Sequence, residues 1–373
     1  MVVPLAFRGV AAGAGAVLVL WTAASVIGTL IVPRPARSRL TNCVDLVVHT
    51  TFRLAADAIA DYQRRDRVLA TEAAAVLLGQ VIAWLVLFFV GYSLVFWPFV
   101  AGGVTAAFAT AGPAMWEIGS VTVHGAPQRA IEDVASLTGI VTVTLQIAYL
   151  PTLYSAFNRR ETEVALLAVR AGVPSWGPEL LARTHYALGS GTSTIHTLPE
   201  LYAQWERWAA DVAESHTTYL PLVRFRSPRV KSSWVTALLA VLDSAALYLA
   251  LSPRTAPAVP ARLCLRSGFT CFTEVARAMG IKVPEAADPA QGISLRYEDF
   301  LDAVKRLREV DFPIERDPEQ AWPDFVGWRV NYEQAAYHVA AAVDAVPAMW
   351  SGPRRRPTIP IPPIRPAPGR RPK

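Results

Sequence analysis

The sequence predicts an all-α integral membrane protein: three transmembrane helices, a re-entrant segment between the second and third, a helical cytoplasmic domain and a disordered C-terminal tail. Three observations carry this. Of the 373 residues 53% are hydrophobic and only 18% charged, against about 25% charged in an ordinary soluble domain. Three stretches without a single charge, 9–33, 73–116 and 134–158, run for 25, 44 and 25 residues, and a charge at mid-bilayer costs about 2.5–3.5 kcal/mol. Beyond residue 160 the apolar spacing is helical, with no sustained alternation to argue for a sheet.

The first run accommodates one span of about 20 residues. Its apolar core exceeds the roughly 7–15 residues of a signal h-region, and no small-x-small cleavage site follows, so 1–33 is expected as a retained helix. Residues 34–72 form a cytoplasmic amphipathic connector. The middle run has about twice the length of one span. Its first part, 73–100, is dense in Leu, Val, Phe and Trp, while 101–116 is small, Gly-rich and interrupted by Pro113. Such a stretch is too short to cross; it is expected as a re-entrant segment or an outer loop, and re-entrant backbone persists only where protein covers it or it lines a wet cavity. The third run is one span, which closes a module over 73–158.

Orientation follows from the basic residues. Arg34, Arg37, Arg39, Arg53, Arg64, Arg65 and Arg67 precede the second span, Arg129 alone lies in the loop up to residue 133, and Arg159, Arg160 and Arg170 follow the third. The positive-inside rule puts the N-terminus outside and the C-terminus in the cytoplasm. Arg outnumbers Lys 32 to four, a hint of a GC-rich bacterial genome, so a multi-pass protein of the bacterial plasma membrane is expected.

A fourth apolar stretch, 232–253, contains one acid, Asp243. If it crossed, Arg262, Arg266 and the basic tail would lie outside. It is therefore expected as the buried central helix of the cytoplasmic domain, 159–351, and Asp243 then needs a partner. Thr197, Leu198, Pro199 and Glu200 spell a capping box, followed by an apolar stripe of Leu201, Trp205, Trp208 and Val212. Phe300, Leu301, Val304 and Leu307 repeat the pattern, and 322–343 predicts one more helix. The tail, 352–373, has eight Pro, seven basic residues and no acid, so it is expected to be extended and disordered, with polyproline II character. It also accounts for the formal charge of +6 and leaves −1 for the rest. Nucleic acid is not an expected partner; the bilayer is, with anionic lipid for the tail.

Few residues are spaced for chemistry. Gly189 to Ser193 fits neither GxSxG nor GxxxxGK[ST] and reads as a linker. His49, His124, His185, His196, His216 and His338 are scattered, without metal spacing, and Cys43, Cys264 and Cys271 read as buried free thiols. Neither an enzyme nor a cofactor is expected.

The order of span, small-residue segment, short loop and span resembles the pore module of the two-transmembrane potassium-channel superfamily. In that family a pore helix ends at a Thr-Val/Leu-Gly-Tyr/Phe-Gly filter whose carbonyls replace the ion's hydration shell. The matching stretch is Thr122-Val123-His124-Gly125, after Gly119 and Ser120; His124 stands at the family's first Gly and Gly125 at its aromatic position. A second register sets Glu117-Ile118-Gly119-Ser120 on the motif and matches only the Gly. The resemblance implies a homo-oligomer, a tetramer if it is a channel, passing potassium or another monovalent cation. Glu117 would then form a ring of four carboxylates at the mouth, and Gln146 and Pro151 on the inner helix would mark a gate. The alternative is a non-conducting membrane-anchored sensor or scaffold that presents the helical cytoplasmic domain.

Overall fold

The computed structural model describes residues 4–32, 38–116, 125–185, 193–284 and 292–365, and their regular structure is helical with no strand. The chain divides into two compact units, Met1–Ser155 and Ala156–Lys373. One helix of 46 residues, α6 (Ala126–Ala171), supplies residues to both.

Unit 1 holds α1 (Leu5–Leu30), α2 (Arg39–Asp57), α3 (Tyr62–Leu69), α4 (Glu72–Phe96), α5 (Gly103–Trp116) and the first part of α6. The helices are joined by an apolar cluster that includes Trp84, Phe88, Phe96 and Met115, by close approaches at small residues and by a few polar bonds. A methyl group built on Gly15 of α1 would stand 2.6 Å from the Gly91 carbonyl oxygen of α4, and one on Gly91 would stand 2.7 Å from Val19. Trp84 Nε1 donates to Ser25 Oγ at 3.1 Å, and Ser25 is bonded in turn to Ser38 at 2.7 Å. At the other end Phe7 meets Trp97 edge to face. Helix α2 is fastened to α4 where Gly79 makes room for Val44 and where His49 Nδ1 lies 2.6 Å from Glu72 Oε1.

Among the described residues four helical stretches are long and apolar enough to cross a membrane: Ala6–Leu30, Tyr62–Phe99, Ala126–Ala171 and Trp234–Leu251. Burial separates them. The first three are only 22%, 33% and 28% buried over their most apolar windows, whereas the fourth is 100% buried. Val17, Leu20, Leu78, Ile82, Leu137 and Ile147 are among the large apolar side chains left outward on the first three, a surface compatible with lipid contact and costly in water.

Unit 2 is built around the fourth stretch, α9 (Trp234–Leu251), all 18 residues of which are buried. Around it stand α7 (Gly177–Arg183), α8 (Leu198–Thr218), α10 (Ala258–Ala278), α11 (Tyr297–Arg308), α12 (Pro318–Arg329) and α13 (Glu333–Ala342). Leu201, Trp205, Trp208 and Val212 enter the core as their spacing predicts. Phe300, Val304 and Leu307 do likewise, but Leu301 points outward. The stretch 322–343 is two helices rather than one, because α12 ends at Arg329 and α13 begins at Glu333. Helix α8 starts where the capping box predicts, yet Thr197 Oγ1 donates to the Thr194 carbonyl at 2.8 Å and makes no side-chain cap. Cys264 and Cys271 are buried as expected, whereas Cys43 is exposed. Residues 186–192, with most of the Gly189 to Ser193 linker, lie outside the described residues.

Asp243 finds its partners on α12 and just after it. Its carboxylate is paired with Arg329 and accepts from Tyr332 Oη at 2.8 Å. Arg329, with no exposed surface, also bonds Glu333 Oε2 at 2.7 Å, Tyr337 Oη at 2.9 Å and the Trp350 carbonyl at 2.8 Å. Every guanidinium nitrogen is used, which is the condition under which a charge is tolerated away from water. Burial still pushes the Asp243 carboxyl up to about 6, against the opposing pull of Arg329.

A second buried cation, Arg160, sits on the part of α6 that belongs to unit 2. It bonds Glu161 at 2.8 Å, the Leu222 carbonyl at 2.8 Å, the Phe225 carbonyl at 2.7 Å and His216 Nε2 at 2.9 Å. Arginine can only donate, so Nε2 is the bare nitrogen and Nδ1, 3.0 Å from Ser215 Oγ, carries the hydrogen. Burial and then the Arg160 charge hold the His216 imidazole well below its usual range. As pH falls through about 6.5 an unfolded chain takes up a proton at this position and the folded one does not, so stability is lost from about pH 6.5 downward. Asp243, raised in the fold, takes up its proton early and works in the opposite direction below about 6. Comparison with His216→Gln, whose amide oxygen can still accept from Arg160, removes the Asp243 contribution. The wild-type protein is expected to lose stability relative to the variant by about 1.4 kcal/mol per pH unit below 6.5, measured by denaturant titration between pH 7 and 5.

The tail is extended, as its Pro content dictates, but its first part is held in place. Arg354 donates to the carbonyls of Ala345 at 2.6 Å, Val346 at 2.8 Å and Ser351 at 2.8 Å. Further on, Ile364 N bonds the Val173 carbonyl at 3.1 Å, and Arg365 lies 3.3 Å from buried Glu179, which Arg183 and Arg306 also bind. The expected disorder of 352–373 therefore does not describe 352–365, because arginines supply the donors that prolines lack. Residues 366–373 lie outside the described set.

Candidate functional site

The candidate site is the module formed by α4, α5 and α6. Helix α4 ends in a 3-10 turn at Trp97–Phe99, and the chain then reverses through Gly102 (φ 114°) and Gly103 (φ 83°), angles that only glycine takes at little cost. The 14 residues of α5 follow. Phe108 meets Phe89 of α4 edge to face at 5.4 Å, and Ala107, Ala111, Ala114 and Met115 form the buried face of α5. Pro113 sits inside the helix without ending it, although it forfeits the amide that would bond the Ala109 carbonyl.

Two contacts fix how far α5 descends. Near the start of α6, Gln128 Nε2 donates to the Phe99 carbonyl. Eleven residues later, about 16 Å along the helix axis, Gly139 faces the end of α5: a methyl group there would stand 2.6 Å from the Met115 carbonyl oxygen. Tyr92 Oη and Thr138 Oγ1, 2.7 Å apart, tie α4 to α6 at the same level. The short helix thus ends about 16 Å along α6 from the level at which Gln128 holds Phe99.

Glu117, Gly119, Ser120, Thr122, Val123 and His124 lie outside the described residues, 117–124. Gly125 is described: it is exposed, with φ 119°, an angle suited to glycine. Gln146 is 7% exposed and lies on the buried stripe of α6 with Ala135, Thr142, Tyr149 and Leu153. It faces the interior of unit 1, and its Oε1 has no hydrogen-bond partner. Pro151 is exposed and neither ends nor interrupts α6, which continues for 20 residues to Ala171. Sequence reasoning missed Tyr92, Thr138 and the glycine contact at Gly139, since none belongs to a motif. Among the described residues no group of His, Cys, Asp or Glu is placed to hold a metal ion.

No family model matches the chain, and neither a curated protein nor a solved structure matches it.

Proposed function

We propose that the chain is a subunit of an oligomeric membrane protein whose α4–α5–α6 module passes monovalent cations such as potassium, with unit 2 on the cytoplasmic side. The observation that carries this reading is the end of α5 beside Gly139, about 16 Å along α6 from Gln128 near its start. A short helix that enters a bundle and stops halfway is a re-entrant segment. Its C-terminal end carries the negative pole of the helix dipole and favours a cation. The eight residues 117–124 are long enough, at up to about 26 Å, to return to α6. Glu117, directly after α5, would add four carboxylates in a tetramer.

The test is cation flux into liposomes holding the purified protein. Flux of potassium above protein-free liposomes is expected. No flux at any voltage or pH, with a folded oligomer confirmed, overturns the proposal.

The second reading, a non-conducting anchor that presents unit 2 to a partner, is favoured by a groove of about 770 Å³ between α6 and α8, lined by Glu163, Glu200, Arg207 and Trp208 among others. Proximity labelling from unit 2 that recovers no specific partner counts against it.

A further inference from the structure

We propose that the outward face of α2 is covered by lipid of the inner leaflet, with Arg39, Arg64 and Arg67 beside it binding anionic headgroups. The inference rests on the membrane reading of unit 1 and does not depend on conduction.

Helix α2 is built the wrong way round for a helix in water. Apart from Arg39 at its first position, its charged residues and its histidine, Asp45, His49, Arg53 and Asp57, are all partly covered, and His49 is paired with Glu72. From Asn42 to Ala55 the exposed positions carry no charge at all. Leu46, Val47 and Leu54 are 64%, 59% and 69% exposed, and Cys43 joins them on the same face. A surface helix of a soluble domain turns its apolar stripe inward and its charges out. The reverse arrangement is favourable only where the outer medium is itself apolar.

Two features identify that medium as lipid. The first is continuity. Val44 of α2 packs on Gly79 of α4, and the neighbouring α4 residues Leu78, Ile82 and Val86 are exposed in turn. The apolar surface of α2 therefore extends the outward face of a helix long enough to span. The second is charge. Arg39 opens α2, Arg64 and Arg67 are exposed on α3, and all three hold no ion pair among the described residues. Free arginines at the start of α2 and on α3, which packs against it, match an anionic leaflet, where each basic group near the surface is attracted to the headgroups.

Cys43 provides the test, because it is exposed while Cys264 and Cys271 are buried. The full-length protein, labelled at Cys43 with an environment-sensitive fluorophore, is placed in vesicles of phosphatidylcholine and phosphatidylglycerol. Nitroxide lipids quench from within the bilayer and iodide quenches from water. The expected result is quenching by shallow nitroxide lipid severalfold stronger than by iodide, with a blue-shifted emission. In a variant with Arg39, Arg64 and Arg67 all replaced by Gln, the enrichment of phosphatidylglycerol around the probe is expected to fall severalfold. Strong iodide quenching with none from lipid overturns the proposal. Protection from both quenchers together with a Cys43 disulfide between two chains assigns the face to a second copy and overturns it as well. A Cys43→Ser, Ile82→Cys protein is the control: if the Ile82→Cys probe is not quenched by lipid, the membrane reading of unit 1 fails; if it is and the Cys43 probe is not, only the placement of α2 fails.

Discussion

Replacing Arg329 with methionine is expected to cost unit 2 about 3–5 kcal/mol, the penalty for leaving buried charge without its counter-ion. The substitution strands two carboxylates, Asp243 and Glu333, at 1% and 4% exposure, and also removes the donors that Tyr337 and the Trp350 carbonyl receive. Lysine is not a substitute, because its single ammonium cannot reach the acceptors that the guanidinium fork holds at once. Adding Asp243→Asn to Arg329→Met is expected to restore part of the loss, since one of the two stranded charges is then gone. Denaturant titration of the solubilised protein, followed by the fluorescence of the tryptophans in the unit 2 core, measures both. A loss below about 1 kcal/mol would mean that water or another cation reaches the site, against its complete burial.

The second large effect is expected at Gly139. Valine there collides with the Met115 carbonyl, since even the first carbon of a side chain stands 2.6 Å from that oxygen. Backbone cannot give way as a flexible side-chain end does, so α5 must move away from α6, at a cost of about 1–3 kcal/mol for the overpacked contact. Cation flux is expected to fall at least tenfold in Gly139→Val while the denaturation midpoint of unit 2 stays unchanged. Alanine at Ile140, which is exposed on the adjacent position, is expected to leave flux intact. Equal flux in wild type and Gly139→Val would detach the end of α5 from the permeation path.

Where charge is absent proved the most legible part of the sequence. The runs 9–33, 73–116 and 134–158 correspond to α1, to α4 with α5, and to the middle of α6, because a helix with no charge over twenty residues has few environments open to it. The single acid in 232–253 was equally informative: a lone Asp among leucines and alanines requires a partner wherever it is buried. What could not be read was which partner. Arg329 lies 86 residues away, and nothing in its local sequence distinguishes it from the solvated arginines around it. Arg160 is a similar case, since beside Arg159 it reads as one more positive-inside charge, whereas the fold buries it against His216. The connector shows a third limit. Its periodicity reveals that α2 has two unlike faces, but periodicity does not say which face is turned inward, and only the pairing of His49 with Glu72 decides that.

The fastening of the tail has a topological consequence. Ile364 is bonded to Val173, two residues past the end of α6, and a methyl group on Gly172 would meet Pro363 at 2.6 Å. The strand that leaves unit 2 is thus tied to the helix that enters it, so unit 2 is nearly a closed loop with its entry and exit side by side. Chain ends normally fray first. Here a pull transmitted along α6 acts at the corner where Ile364 is anchored, and peeling this segment away loosens the seat of α6.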